Sequence, residues 1–173
     1  MKFFKNDLHN DIISVKLHYG VMMMNRDAFI KKADEKLKMI RIENDFTQDK
    51  MADALGISKK TLIQIEKGRA SLGWSGAVTL CTVFRDSEVL AMAYGGQPLD
   101  IILLLAFNGY ENSYEKTMGG KIWWKDMETN GSYKIQQNII SQHYRILDHK
   151  ERRICSSFDY EYMKKRLYEI EQD

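Results

Sequence analysis

The spacing of apolar positions changes twice along the chain, which divides it into three zones. Within "IISVKLHYGV", residues 12–21, apolar and polar residues alternate from Ile13 to Val21, the period-two pattern of a half-buried β-strand. From about residue 25 to 110 the spacing becomes three and four, which is typical of helices. After about residue 120 it returns to strand-like segments, followed by one last helix. The pattern predicts mixed helix and sheet.

The first zone is predicted to be an N-terminal extension, residues 1–24, with one strand. A single strand is not stable alone, so we expect it to dock on another sheet or on a second subunit. The run Met22-Met23-Met24 leaves an alternative, in which translation begins there and the upstream residues are not natively made.

The second zone is predicted to contain five or six helices. Phe29, Ala33, Leu37 and Ile40 form one helical stripe. A second helix runs from about Gln48 to Leu55, with a threonine as its N-cap, and a glycine ends it. A third begins after a serine N-cap and ends at a glycine. Two or three more are expected, at about 75–84, 87–94 and 99–107.

The third zone is predicted to form two hairpins and a terminal helix. Asn130-Gly131 is a strong signal for a tight turn, and pairing across it sets Trp124 opposite Gln137 and Ile122 opposite Ile139. One face should then collect Ile122, Trp124, Tyr133, Ile135 and Ile139. The segments "HYRIL" and "RRICSS" form the second hairpin. The last helix carries Tyr160, Met163, Leu167 and Ile170 on one stripe, with Asp159 as its N-cap.

Composition narrows the function classes only a little. The 173 residues are 44% hydrophobic and 29% charged, as in ordinary globular proteins, and the formal net charge is +2. Any basic surface must therefore be local. Cys81 and Cys155 are too far apart to suggest a disulfide framework or a zinc knuckle. With no secretory signal and no apolar run of about 20 residues, a cytoplasmic protein without a membrane span is expected.

Residues 47–68, "TQDKMADALGISKKTLIQIEKG", predict two helices that cross at a glycine turn. The apolar positions form a compact wedge, which comprises Met51, Ala52, Leu55, Ile57, Leu62 and Ile65. This is the helix-turn-helix arrangement. Turning the wedge inward leaves Ser58, Lys59, Lys60, Gln64 and Lys67 outward on the second helix. Between Ile57 and Arg69 there are four Lys or Arg residues and one acid, so the cationic charge is concentrated on this element.

This stretch resembles the phage repressor/Cro-like helix-turn-helix proteins, also called the xenobiotic-response-element type. The family pattern is matched by Thr47, Gln48, Ala52, Gly56, Ile57, Ser58, Leu62, Glu66 and Gly68, and "LKMIR" before it matches the end of the family's first helix. The resemblance covers about residues 26–94. Together, the resemblance and the spacing pattern predict an α+β chain, in which the helix-turn-helix domain, residues 25–110, is followed by a β-hairpin-rich region, residues 120–173, with a small antiparallel sheet and a terminal helix.

The resemblance also implies residue roles on duplex DNA. Lys59, Lys60 and Gln64 would contact bases in the major groove, where Lys can donate to guanine and Gln can pair with adenine. Phosphate contacts would come from Gln48, Thr61, Lys67 and Arg69. Arg41 and Glu66 match a buried ion pair between the first and third helices. Ile63 departs from the pattern, and could touch a thymine methyl or pack against its own chain. Alternatively, Lys59 and Lys60 only make an exposed helix face soluble and contact no ligand.

The expected function is therefore a sequence-specific DNA-binding transcriptional regulator, of repressor type, acting as a homodimer on paired half-sites. Either the apolar segment "LDIILLLAF" or the strand-rich tail could form the dimer. The alternative function is an antitoxin or anti-repressor module that uses the same helices to bind protein. The sequence contains neither a glycine-rich phosphate loop nor a His-Glu metal motif, so we expect no catalysis, no cofactor and no metal.

The role of the third zone stays open at this level. Its aromatic residues and the Gln136-Gln137-Asn138 run could bind an unknown protein or small-molecule effector, or could be ordinary sheet packing. Lys150, Arg152 and Arg153 could form a wing against DNA phosphates, or a solvated turn paired with Asp148 and Glu151. Strand alternation should scatter the only candidate metal ligands, His143, His149 and Cys155, over both faces of a hairpin.

Overall fold

The computed structural model describes residues 2–3, 24–116 and 121–172. It contains two compact units, one formed by Asn25–Ile102 and the other by the described parts of Met1–Met24 and Leu103–Asp173. The first is referred to as the helical unit and the second as the sheet unit. The α+β fold class predicted from the sequence is confirmed. The strand predicted within residues 13–21 lies outside the described residues.

The helical unit is built from short helices with polar caps. Their bounds are α1 Arg26–Glu43, α2 Gln48–Leu55, α3 Lys59–Glu66, α4 Gly73–Val83 and α5 Glu88–Tyr94; α6, Pro98–Phe107, contains the boundary between the units. Asn25, Thr47, Ser58 and Ser87 each accept a hydrogen bond from a backbone N–H three residues on, which satisfies a donor that the helix leaves unpaired.

The core of the helical unit forms around α1. Its predicted stripe is confirmed, since Phe29, Ala33, Leu37 and Ile40 are all fully buried. Tyr94 of α5 stacks against Phe29 with ring centroids 4.6 Å apart and donates its hydroxyl to the Phe29 carbonyl oxygen at 2.8 Å. Burial raises the pKa of Cys81 on α4 to about 12, so this thiol stays protonated near neutral pH.

The sheet unit contains a six-stranded antiparallel sheet. The strands are β1 Lys2–Phe3, β2 Tyr110–Lys116, β3 Trp124–Asn130, β4 Tyr133–Asn138, β5 Tyr144–Leu147 and β6 Arg152–Ser157, arranged in the order β1-β2-β6-β5-β4-β3. A 3₁₀ turn, Lys121–Trp123, precedes β3. The second predicted hairpin is confirmed as β5 and β6.

One face of the sheet is covered by α7, Tyr160–Gln172. Asp159 accepts from the Tyr162 N–H at 3.0 Å, which confirms the predicted cap. Met163 and Leu167 pack on Ile135, Ile146 and Cys155, and all five are fully buried. The terminal helix therefore closes the apolar core of this unit, as its stripe predicted.

The register predicted for the first hairpin is wrong by one residue at Trp124 and by two residues next to the turn. Asn130 pairs with Tyr133, so the turn is Gly131-Ser132, and Trp124 lies opposite Asn138 instead of Gln137. A bulge between Asp126 and Glu128 shifts the pairing again. The predicted apolar face is therefore incomplete.

Long-range contacts accompany the shifted register. Tyr160 and Tyr168 of α7 donate hydroxyl hydrogens to Glu128 at 3.2 and 3.0 Å, which fixes that residue on the helix-covered face. Ile122 and Ile139 are exposed, in contrast to the prediction.

The opposite face of the sheet carries a polar row. Arg145 donates from Nε and Nη2 to Gln136 Oε1 at 2.9 and 2.8 Å, and Gln136 Nε2 donates to Asp126 Oδ1 at 2.6 Å. The guanidinium also lies 3.7 Å from the Trp124 ring centroid. Arg145 and Gln136 are only 5% and 7% exposed, so these two side chains belong to the interior, and Asp126 at the surface completes the network.

Two further properties hold for the described residues. No helix there is by itself long and apolar enough for a membrane span, while α5 and α6 meet that test only as a pair bent by 50°. Within the same ranges, no group of three or more His, Cys, Asp or Glu side chains could hold a metal ion.

Candidate nucleic-acid interface

The wedge predicted between α2 and α3 sets the geometry of the candidate site. Met51, Ala52 and Leu55 of α2 and Leu62 and Ile65 of α3 are buried, while Ile57 is half-buried. Gly56 has φ 66° and ψ 31°, the left-handed conformation that ends α2 at little cost to glycine. The Ile57 N–H then donates to the Ala52 carbonyl oxygen at 3.0 Å, and this hydrogen bond ties the residue after the turn to α2.

One face of α3 projects away from this wedge. Lys60, Ile63, Gln64 and Lys67 follow one another at spacings of three, one and three residues, so they lie on one side of a helix. Lys60 and Lys67 are exposed, and Ile63 and Gln64 are half-buried. Lys67 is the C-cap of α3, where its backbone N–H donates to the Ile63 carbonyl. We call these four residues the outward face.

Lys59 lies at the flank of the outward face. Its Nζ donates to Asp49 Oδ2 at 2.7 Å, and the two side chains are 51% and 65% exposed. Asp49 belongs to the first turn of α2, so this ion pair crosses the turn of the motif. The sequence prediction placed Lys59 against bases and did not identify Asp49 as its partner. The available signal was the position of Asp49, two residues after the N-cap Thr47.

Gln48 is also engaged across the two helices. Its Nε2 donates to Glu66 Oε2 at 3.0 Å. An amide group carries two N–H donors, so the second N–H can serve a ligand while the first keeps this bond. The structure therefore places Gln48 at the start of α2, as predicted, and joins it to the end of α3.

Glu66 and Arg41 form an ion pair between α3 and α1. Arg41 Nε donates to Glu66 Oε1 at 2.6 Å and Nη2 to Oε2 at 3.3 Å, and the Glu66 side chain is 6% exposed. Burial alone would raise the pKa of Glu66, but the hydrogen bonds from Arg41 and Gln48 outweigh it and lower that pKa below its usual value. At neutral pH this carboxylate is ionised and neutralised by the arginine.

The remaining predicted phosphate residues lie at both ends of α3. The Thr61 hydroxyl is 2.8 Å from the Ser58 hydroxyl, within the N-cap of the helix. Arg69 is exposed in the loop that follows, where its backbone N–H donates to the Gln64 carbonyl at 2.8 Å. Gly68, with φ 68°, makes the left-handed turn between helix and loop.

The other candidate surfaces are largely occupied by internal contacts. Arg152 donates to Asp148 Oδ2 at 2.7 Å and Arg153 is buried, whereas Glu151 pairs with Lys134 of β4 at 3.1 Å. These contacts favour the solvated-turn interpretation over a wing. The aromatic rings are packed too: Trp124 lies beside Arg145 and His143, and Tyr144 lies 5.0 Å from Tyr160.

Comparison with known proteins identifies the motif. Residues 37–73 match the model of the HTH_3 helix-turn-helix family, which confirms the sequence resemblance for about a fifth of the chain. A solved structure, titled as the crystal structure of an HTH_3 family transcriptional regulator from Vibrio cholerae, is 20% identical, with a TM-score of 0.28. That similarity covers 70% of this chain and 60% of that one. No curated protein matches the chain.

Proposed function

We propose that the chain is a sequence-specific regulator of transcription, of repressor type, that inserts α3 into the major groove of duplex DNA. The observation that carries this proposal is the outward face, which projects from a rigid two-helix wedge with exposed lysines at both ends. The family of residues 37–73 supports the same function. In helix-turn-helix proteins of this kind the second helix lies in the groove.

The charge balance of the motif supports DNA as the ligand. The acid of α3, Glu66, is neutralised by Arg41 inside the domain, so it does not offset the cations on the surface. Within the described residues, Lys60, Lys67 and Arg69 are exposed and have no side-chain ion pair. Phosphate neutralisation by such residues releases counterions and supplies the non-specific part of binding.

The residue chemistry supports a division of roles. Lys60 and Gln64 have donors that suit guanine and adenine edges, and Ile63 between them can contact a thymine methyl. Lys59 is the third base-contacting candidate once its pair with Asp49 opens. The candidates for phosphate contacts around these residues are Gln48, Thr61, Lys67 and Arg69. Base contacts would set the sequence, and phosphate contacts would set the register.

A homodimer is part of the proposal, because one helix-turn-helix makes few base contacts and two-fold symmetry doubles them. Both segments predicted from the sequence stay candidates for the interface. On α6, Leu99 and Phe107 are exposed, while Ile101, Ile102 and Leu104 are buried. A palindrome in the bound sequence, with half-sites one helical turn apart, would be the expected result of dimeric binding.

The test begins with selection of bound sequences from a random duplex pool, using the full chain. The selected site and a scrambled duplex are then titrated by fluorescence anisotropy at several salt concentrations. We expect preference for the selected site, and affinity that falls with salt by a log–log slope of about 0.9 per phosphate contact. If neither duplex is bound at low salt and a protein partner co-purifies instead, the antitoxin or anti-repressor function replaces this one.

Variants of the outward face separate the roles. Lys60→Gln and Gln64→Ala should relax base preference at particular positions by about 5- to 150-fold, since a good base contact is worth 1–3 kcal/mol. Lys67→Gln should weaken all duplexes alike and reduce the salt slope by about one. Lys31→Gln, an exposed lysine of α1, is the charge-matched control. Equal losses for Lys31→Gln and Lys60→Gln would contradict a specific role for α3.

A further inference from the structure

The ion pair between Lys59 and Asp49 lies at the edge of the proposed DNA surface. Both side chains are more than half exposed, and Nζ and Oδ2 are 2.7 Å apart. Pairs this exposed contribute less than about a factor of five to an equilibrium. The contact is therefore strong enough to bias where the Lys59 ammonium lies and weak enough to open when a better partner arrives.

Asp49 is not needed to cap its helix. Thr47 already accepts the Lys50 N–H at 3.2 Å, and Gln48 joins the start of α2 to Glu66. The Asp49 carboxylate nevertheless occupies the first turn of α2, next to the position at which Gln48 would meet phosphate. A negative charge there opposes DNA, and its ion-pair partner among the described residues is the cation that could otherwise contact DNA.

We propose that Asp49 is a positioning residue, which withholds Lys59 from backbone-only contacts and releases it when α3 is seated against bases. This inference rests on the proposed function. In non-specific binding, Lys59 would exchange a carboxylate for a phosphate, which gains little and leaves Asp49 unpaired beside a polyanion. In specific binding, a base contact worth about 5- to 150-fold outweighs the loss of the pair. Asp49 thus removes one phosphate contact from non-specific binding, whereas in specific binding it costs no more than the strength of the pair.

The decisive variant is Asp49→Asn, which keeps the size of the side chain and removes its charge. On scrambled duplex, the released Lys59 adds about one phosphate contact. The log–log salt slope should therefore steepen by about 0.9, and affinity should rise by no more than about fivefold, the strength of the pair. On the selected duplex the gain has the same limit, but the slope should stay unchanged, because Lys59 contacts a base with or without Asp49. The steeper slope should consequently be confined to the scrambled duplex.

Two controls separate this role from a general charge effect. Asp53→Asn removes the same charge from the same helix at an exposed residue that has no ion pair among the described residues. Lys59→Gln removes the cation, and in that background Asp49→Asn should no longer steepen the salt slope. Thermal melting of each variant checks that the motif stays folded, and a structural role would move melting without moving the slope.

The binding results separate a failure of the Asp49 inference from a failure of the proposed function. If the unmodified chain prefers its selected duplex but Asp49→Asn behaves like Asp53→Asn, the inference is overturned and the proposed function stands. The same follows if Asp49→Asn acts equally with and without Lys59. If the unmodified chain binds neither duplex at low salt, the proposed function fails, and the inference fails with it.

Discussion

The helical unit and the sheet unit treat polar side chains in opposite ways. Among the described residues, Ser87 is the one fully buried polar residue of the helical unit. The sheet unit buries many more, and these are Gln136, Asn138, Ser141, His143, Arg145, Asp148, Arg153, Ser156 and Ser157. The first unit therefore leaves its polar groups at the surface, and the second uses them to hold its own strands.

This difference separates residues that can serve a ligand from residues that serve the fold. Gln64 and Gln136 have the same side chain, but Gln64 projects from α3, while Gln136 bridges Arg145 and Asp126 inside the sheet unit. Buried polar groups are costly unless hydrogen-bonded, so such a network has little freedom to exchange partners. The proposed interface accordingly belongs to the unit with few buried polar groups.

The largest effect is expected where the helical unit departs from this rule. Arg41→Ala leaves the Glu66 carboxylate buried without its arginine, which should cost about 3–5 kcal/mol of the free energy of unfolding. Urea denaturation followed by circular dichroism measures the loss. Arg41→Ala with Glu66→Gln should recover part of it, because no charge is then stranded. A cost below about 1 kcal/mol would show that solvent reaches the pair.

A smaller loss is expected from the corresponding residue of the sheet unit. Arg145→Ala removes two hydrogen bonds to Gln136 and the contact with Trp124. Leaving the amide oxygen unsatisfied should cost about 2 kcal/mol. Arg145→Lys keeps the charge without the fork geometry and should lose nearly as much. Lys165→Ala, at an exposed position, is the control, with a change within about 0.5 kcal/mol. An Arg145→Ala loss as small as that control would contradict a folding role.

The sequence predicted the helical unit well because its signals are local. Thr47, Gly56 and Ser58 determine the helix ends through their own backbone chemistry, and the spacing of Phe29 to Ile40 determines which side of α1 is buried. What the pattern missed are pairs that span the motif. The contact between Lys59 and Asp49 depends on how the two helices cross, and periodicity alone does not specify that.

In the sheet unit, local signals predicted elements but not their pairing. Asn130-Gly131 predicted a hairpin, and a hairpin is present, but its register differs from the prediction. The hydroxyls of Tyr160 and Tyr168 hold Glu128, some 30 to 40 residues earlier, beside the bulge. Ile122 lies in the 3₁₀ turn before β3 and Ile139 follows the end of β4, so the predicted apolar face lost both.

A smaller loss of stability is expected from a substitution in the Gly131-Ser132 turn. Gly131 has φ 54°, and a Cβ there would lie 1.8 Å from Glu171 Oε1, the mobile end of a side chain. The clash can be relieved, but the left-handed backbone should make Gly131→Ala cost about 1–2 kcal/mol in urea denaturation. Gly131→Asn should cost less, because asparagine tolerates this conformation. Equal losses for both variants would indicate that Glu171, and not the backbone, limits the position.

Acid should have the smallest effect, and it sharpens the comparison because each unit has one carboxylate whose pKa is lowered. For Asp148, burial alone would raise the pKa, but hydrogen bonds from Arg152 and from the Lys150 backbone N–H outweigh it. Glu66 is lowered in the same manner. A lowered folded pKa gives stability that is present above the usual values, 4.5 for Glu66 and 3.8 for Asp148.

That stability is lost as pH falls through the lowered values, with a slope of at most about 1.4 kcal/mol per pH unit for each carboxylate. Glu66→Gln and Asp148→Asn should each flatten the fall of the urea midpoint between neutral pH and pH 3. If the helical unit depends on a single internal ion pair, Glu66→Gln should remove most of the acid sensitivity of its helices. In the Asp148→Asn variant, the sheet unit should keep more of its acid sensitivity, because its other buried polar groups remain. Identical pH profiles for both variants and the unmodified chain would show that neither carboxylate distinguishes the units.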